Sequence, residues 1–196
     1  RLTPNEDEEI SPLLERAFSR MEINVMTGAG VTGVDVSAGG AKLSVEKDGA
    51  TQSLEVDQVL VAIGVQANTE DLGLEGLGIE TQNGLIQVDD AMATNVPGIY
   101  AVGDVTGKLA LAHVATAQAV TAVESMAGME PQPLDYAFMP RATYCQPQIA
   151  SFGLTEAQAR DQGYEVSIGS FNVQANGKAS AMGETEGIVK LVVDEK

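Results

Sequence analysis

A glycine and an aspartate, Gly103 and Asp104, follow an apolar run in TNVPGIYAVGDVTG, residues 94–107. A second glycine, Gly64, ends the apolar run QVLVAIG, residues 58–64. Both runs predict buried strands, and ligands of α/β proteins bind at the carboxyl ends of such strands. Glycine lets a ligand approach the backbone closely, and a carboxylate accepts hydrogen bonds from hydroxyl groups. The two strand ends therefore predict two ligands, although on spacing alone they could also merely turn the chain.

The alanine-rich segment after Asp104 predicts a long helix over residues 109–127, closed by Gly128. Its amino terminus, near Leu109 to His113, follows Asp104 within a few residues. Unpaired N–H groups and a partial positive charge at such an end stabilise an anion or an electron-rich ring. An acceptor for hydroxyl groups beside a helix start predicts a ribityl-flavin site rather than a nucleotide-phosphate site.

His113 and Cys145 are the only histidine and cysteine of the chain. His113 has no nucleophile nearby in the sequence, which favours a packed or backbone-contacting role. Cys145 has no second cysteine at a redox spacing, which favours a buried or half-buried structural thiol. A single cysteine excludes an intrachain disulfide and suits a reducing compartment. We therefore assign no catalytic residue to the chain.

The net charge of −17 argues against nucleic acid or an anionic membrane as a partner, because both require clustered lysine and arginine. The acidic run over residues 6–9 precedes a predicted helix, so helix electrostatics is favoured over a metal site. No secretory or membrane-spanning signal is visible, and we predict a cytoplasmic location. Because the chain opens on Arg1 and closes on half of a predicted hairpin, we expect it to be an internal fragment.

The first part of the chain predicts an α/β arrangement. An amphipathic helix over residues 5–21, with Asn5 as its cap, precedes a short buried strand over residues 23–28. This is half of a βαβ unit whose first strand would lie before residue 1. Glycine-rich turn signals predict an antiparallel meander over residues 30–57. Further strands are predicted over residues 58–64, 85–90 and 98–104.

Three prolines between residues 131 and 140 predict a domain boundary near residue 135. The segment beyond it predicts an antiparallel α+β arrangement. Thr155 and Gln158 form a capping-box pattern for a helix over residues 155–163, and Asn176-Gly177 predicts a loop. The strands predicted here are residues 142–146, 149–154, 164–173 and 187–193. The class is therefore α/β, or α+β overall.

Three motifs together resemble those of the two-domain pyridine nucleotide–disulfide oxidoreductases. TNVPGIYAVGD is similar to their second flavin-binding motif, and VLVAIGVQAN is similar to the motif that precedes it. PRATYCQPQIASFGLTEAQARDQGY is similar to the start of their dimerisation domain. One departure is that Val65 and Ala67 stand where the family usually has arginine and proline, although Asn68 remains.

The resemblance implies part of a flavoprotein with two dinucleotide-binding domains and the start of an α+β dimerisation domain. Residues 1–68 would be the carboxyl part of the NAD-binding domain with its meander. Residues 69–135 would be the central region and the second part of the FAD-binding domain, and residues 136–196 the start of the dimerisation domain. The cofactor contacts it implies are Gly103, Asp104, Ala110, Leu111, Ala112 and His113 for FAD, and Gly64 with Val31 for NAD.

Within the family, ALAH at residues 110–113 and FNVQANGKASAMGETEGIVKLV resemble the dihydrolipoamide dehydrogenase branch. This implies an oxidoreductase of cell redox homeostasis, active as a homodimer with the lipoyl domains of a 2-oxoacid dehydrogenase complex. The branch's redox disulfide and catalytic His-Glu pair have no counterpart here, so the chain alone would be inactive. Alternatives are a relative of glutathione reductase, mercuric reductase or soluble transhydrogenase, or a non-catalytic binding module.

Overall fold

The computed structural model describes all 196 residues, and residues 1–61 with 140–196 form one unit while residues 62–139 form a second. The helices are α1 (Ile10–Arg20), α2 (Leu74–Leu77), α3 (Ala112–Met126), α4 (Glu156–Asp161) and α5 (Gly177–Met182). The strands are β1 (Gly30–Ser37), β2 (Gly40–Lys47), β3 (Ala50–Val56), β4 (Thr81–Gln82), β5 (Leu85–Ile86), β6 (Arg141–Thr143), β7 (Ile149–Ser151), β8 (Val166–Asn172) and β9 (Ile188–Asp194). Every strand pair is antiparallel.

The predicted meander is confirmed as a three-stranded sheet in the order β1-β2-β3. Leu43 and Val45 on the central strand are its buried residues. A side chain at Gly40 would place its Cβ 2.4 Å from the carbonyl oxygen of Val56, and the residue has a φ of +138°. Gly40 is therefore required both by its backbone conformation and by the closeness of β3.

Three segments predicted to be buried strands are not strands, and these predictions are wrong. Residues 23–28 and 58–64 are irregular, and residues 98–104 form a single bridge between Tyr100 and Ala93. In the second segment Leu60 and Ile63 are 90% and 96% exposed. A strand buried on both faces needs neighbouring strands to pair its backbone groups, and none of the described strands pairs with these segments. An apolar composition alone does not build a sheet.

Helix α1 begins later than predicted, the predicted start of α4 is confirmed, and α5 lies where a loop was predicted. Helix α1 begins at Ile10 rather than near Asn5, and Glu9 at its N-cap makes no side-chain cap. The capping box of Thr155 and Gln158 is confirmed at α4. The loop predicted around residues 176–177 is wrong because the side chain of Asn176 accepts a hydrogen bond from the Ala179 N–H and thereby starts α5.

Lys190, on β9, joins distant parts of the first unit. Its Nζ donates to carboxylate oxygens of Asp7 at 2.9 Å, Glu9 at 2.7 Å and Glu156 at 2.8 Å, and its side chain is only 7% exposed. Asp7 also accepts a hydrogen bond from the Glu156 backbone N–H at 3.1 Å. The acidic run before α1 therefore has a tertiary partner that the sequence did not predict. We call Lys190 and these three carboxylates the Lys190 cluster.

Three members of the Lys190 cluster, Lys190, Asp7 and Glu156, have shifted pKa values. Burial alone would lower the pKa of Lys190, but the hydrogen bonds to Glu156, Glu9 and Asp7 outweigh it and raise this pKa. Burial likewise works to raise the pKa of Asp7, yet the hydrogen bonds from Lys190 and the backbone of Glu156 lower it. The hydrogen bonds from Lys190 and then Arg160 lower the pKa of Glu156. Lys190, Asp7 and Glu156 are therefore charged at neutral pH.

The second unit packs around a small apolar cluster. Its buried members are Leu74, Ile79, Ile86 and Ala101. The side chain of Asn95 fixes the turn after α2, because it accepts a hydrogen bond from the Glu80 N–H at 2.9 Å and donates to the Gly78 carbonyl at 2.8 Å. No helix of either unit is long and apolar enough to cross a membrane.

Candidate functional site

Gly103 is buried, and both of its backbone polar groups are hydrogen-bonded, the N–H to helix α3 and the carbonyl to Thr106. Its N–H donates to Oε1 of Gln118 at 2.6 Å. Its carbonyl oxygen accepts from Oγ1 of Thr106 at 2.8 Å and from the Thr106 N–H at 3.0 Å. The residue has φ of 84° and ψ of −159°, a region that is essentially restricted to glycine. A Cβ there would lie 3.4 Å from Cβ of Ala115.

Asp104 is exposed and begins a single 3-10 turn, Asp104–Thr106, that Gly107 ends. The backbone of Asp104 is fixed because its carbonyl oxygen accepts a hydrogen bond from the Gly107 N–H at 3.0 Å. A Cβ at Gly107 would lie 2.5 Å from a methyl carbon of Leu85, so the turn is closely packed. The structure thus presents the Asp104 carboxylate to solvent on a backbone that is held on both sides.

Helix α3 starts later than the sequence predicted, so Ala110 and Leu111 precede it. Leu111 is the N-cap residue, with φ of −140° and ψ of 138°, and no side chain caps this end. The Ala115 N–H donates to the Leu111 carbonyl at 3.0 Å, which closes the first turn. Ala112 and His113 form that turn and are exposed. The helix end therefore has backbone N–H groups and a partial positive charge, and its N-cap residue Leu111 makes no side-chain cap.

Six of the eight predicted contacts lie together in the second unit. Because Gly103 touches Ala115, one turn beyond Leu111, the glycine-aspartate pair and the helix start are neighbours. Gly64 belongs to the same unit and has a φ of +147° in an exposed segment. Val31 lies on β1 in the other unit and is 58% exposed. The roles of all eight as cofactor contacts stay predictions.

Gln118 and Tyr136 were missed by the sequence analysis. Gln118 is completely buried, and its Nε2 donates to Oη of Tyr136 at 3.0 Å. Nζ of Lys108 lies 5.9 Å from the centre of the Tyr136 ring. The signal available for Gln118 was its spacing from Val114 and Thr121, which places all three on one buried face of α3.

Cys145 is half-buried and unpaired with another cysteine. Its Sγ donates to the carbonyl oxygen of Pro147 at 3.1 Å. The predicted half-buried thiol is confirmed, and its structural role stays a prediction.

Two sequence profiles match the chain. The profile described as pyridine nucleotide-disulphide oxidoreductase matches residues 1–119, and that of the dimerisation domain of the same family matches residues 139–196. The chain belongs to the pyridine nucleotide-disulphide oxidoreductase family. The family and the fold class predicted from the sequence are thereby confirmed.

Curated relatives point to one branch of the family. The chain is 50% identical over 198 residues to the dihydrolipoyl dehydrogenase of Mycobacterium leprae, which covers 100% of this chain and 42% of the relative. It is 45% identical over 200 residues to the dihydrolipoyl dehydrogenase of Corynebacterium glutamicum, covering 99% of this chain and 43% of the relative. The chain thus spans about two fifths of the length of these relatives.

Solved structures of flavoprotein disulfide reductases have the same fold. LpdA from Mycobacterium tuberculosis matches with a TM-score of 0.87 and 26% identity, covering 98% of this chain and 42% of that one. The HOCl-induced flavoprotein disulfide reductase RclA from Escherichia coli matches with a TM-score of 0.88 and 26% identity, covering 99% and 44%. The similarity extends over both units of the chain.

Proposed function

We propose that the chain is part of an FAD-dependent dihydrolipoyl dehydrogenase, an oxidoreductase that oxidises dihydrolipoyl groups and reduces NAD+. The observation that carries this proposal is the 50% identity over the whole chain to a relative of that name. FAD, when bound, supplies the transfer of two electrons between a disulfide and the nicotinamide. The chain itself would provide some of the residues that line the FAD and NAD sites.

The residues at the glycine-aspartate pair fit FAD. Asp104 is exposed on a fixed backbone, so its carboxylate would accept hydrogen bonds from the ribityl hydroxyl groups. Gly103 would let the ribityl chain approach the backbone. The backbone from Ala110 to His113 would line the flavin, and the uncapped start of α3 would stabilise negative charge on the reduced ring.

Gly64 in the second unit and Val31 in the first are each proposed as NAD contacts. The positive φ of Gly64 permits an approach to the backbone that a side chain would obstruct. Val65 and Ala67 in place of the usual arginine and proline remove one polar contact that the family pattern would supply. The nucleotide contacts proposed here are therefore backbone and apolar contacts.

The proposal assigns no catalytic residue to this chain. The redox disulfide and the His-Glu pair that handle electrons and protons in the branch lie outside the matched motifs, and Cys145 and His113 do not take their places. The match to the dimerisation domain supports a homodimer. Lipoyl domains of a 2-oxoacid dehydrogenase complex would be the protein partners, in the cytoplasm.

Substrate preference of the full-length protein tests the proposal. We expect dihydrolipoamide to drive the formation of NADH from NAD+, followed by absorbance at 340 nm. Glutathione disulfide with NADPH is the control reaction, because a glutathione-reductase-like relative would prefer it. If the protein turns over only glutathione disulfide with NADPH, the proposed function is wrong and the protein is another disulfide reductase. RclA, which has the same fold, is also a disulfide reductase.

A further inference from the structure

We infer that Gln118 is a positioning residue that holds the glycine-aspartate pair in place for FAD, an assignment that rests on the proposed function. Its side-chain amide lies on α3, 15 residues after the glycine whose N–H it binds. The same amide reaches Tyr136, 18 residues further along the chain. One side chain therefore connects the proposed FAD contact, the helix that follows it and the segment beyond that helix.

The hydrogen bond between Gln118 and Gly103 is costly to lose because both groups are buried. Gln118 is 0% exposed and Gly103 is buried, so neither group can exchange its lost hydrogen bond for one to water. An unpaired polar group in such a place is costly. Thr106 donates to the Gly103 carbonyl, and Gln118 accepts from the Gly103 N–H, so Gln118 holds the one backbone group of Gly103 that Thr106 does not. The Gly103 N–H belongs to the Val102–Gly103 peptide, so Gln118 fixes the peptide that leads into the glycine-aspartate pair.

The chemistry of the amide allows specific variants. Gln118 accepts from Gly103 through Oε1 and donates to Tyr136 through Nε2. A glutamate would still accept from Gly103, and the Tyr136 hydroxyl could donate to its other oxygen. Leucine would lose both bonds, whereas Tyr136→Phe would lose only the second. Thr121→Val is a volume-matched control, since Thr121 is a buried polar residue of the same helix face and takes no part in these bonds.

The test measures FAD affinity and amide hydrogen exchange of the full-length protein. We expect Gln118→Leu to raise the FAD dissociation constant at least about tenfold, as loss of a buried hydrogen bond implies. It should also speed exchange over residues 102–107. Gln118→Glu keeps the acceptor at Gly103 but puts a carboxyl group in a fully buried site, so it should retain more FAD affinity than Gln118→Leu and less than the wild type. Tyr136→Phe should likewise lie between Gln118→Leu and the wild type, and Thr121→Val should change neither readout.

The outcomes separate this assignment from the proposed function. Wild-type protein that binds no FAD overturns the proposed function and this assignment with it. Wild-type FAD affinity in Gln118→Leu, with unchanged exchange over residues 102–107, overturns the assignment alone. An equal loss of affinity in Thr121→Val and Gln118→Leu also overturns it, because the loss would then follow from any change on this buried face of α3 and not from the bond to Gly103.

Discussion

Full-length protein carrying Asp104→Ala is expected to lose most of its FAD during purification. Hydrogen bonds to a charged group contribute about 1.5–3 kcal/mol, so the FAD dissociation constant should rise roughly 10- to 150-fold. The fold should remain, because Asp104 is exposed and its turn is closed by backbone hydrogen bonds. Flavin absorbance per mole of chain and a titration of the apoprotein with FAD measure the effect.

Two further variants sharpen the Asp104 result. Asp104→Asn keeps one acceptor oxygen without the charge and should lose less affinity than Asp104→Ala. Glu75→Ala removes an exposed carboxylate from α2 in the same unit, and it should retain FAD fully. Undiminished flavin content in Asp104→Ala would show that this carboxylate is not a ribityl contact.

The Lys190→Met variant is expected to lower the free energy of unfolding of the first unit by about 2 kcal/mol at neutral pH. Removing one partner of a fully buried ion pair costs roughly 3–5 kcal/mol, and the smaller value follows because Glu9 stays 52% exposed. Three carboxylates would be left close together without their cation. A lower melting temperature, measured by circular dichroism or calorimetry, is the expected readout.

The pH dependence of the Lys190→Met effect has a defined sign. The pKa values of Asp7 and Glu156 are lowered from 3.8 and 4.5, so their contribution to stability is complete above those values and is lost as the pH falls through the lowered ones. Lys190, whose pKa is raised, keeps its charge over that range. The difference in melting temperature should therefore be full at neutral pH and shrink under acid conditions.

Lys178→Met is the matched control for this prediction. Lys178 is exposed on α5, and the change removes the same charge from the same unit. Its melting temperature should stay close to that of the wild type. Equal melting temperatures for Lys190→Met and the wild type at pH 7 would mean that the Lys190 cluster does not stabilise the unit.

Local signals predicted the parts of the fold that depend on neighbouring residues. The meander followed from alternation and glycine turns, and α4 followed from the capping box of Thr155 and Gln158. The glycine-aspartate pair and the helix after it were predicted close together, and Gly103 does contact α3. Each of these features depends on residues that lie close together in the sequence, so a single sequence is enough to predict it.

Contacts between distant residues could not be predicted in this way. Lys190 meets Asp7 across 183 residues, and nothing near either one indicates its partner. Gln118 carried a periodic signal of burial but no indication that its acceptor would bind Gly103. The three apolar runs did not form strands because none of the strands in the structure pairs with them, and an apolar composition alone does not provide such a partner.

A segment exchange tests whether this chain supplies part of the cofactor sites of a dihydrolipoyl dehydrogenase. The part of the Mycobacterium leprae dihydrolipoyl dehydrogenase that matches this chain, 42% of that protein, would be replaced by the present 196 residues. We expect the chimera to bind FAD and to reduce NAD+ with dihydrolipoamide at a rate within about tenfold of that of the parent, because the chain would line the cofactor sites and supply no catalytic group. A folded chimera that retains no FAD, or that binds FAD without turnover, would contradict it.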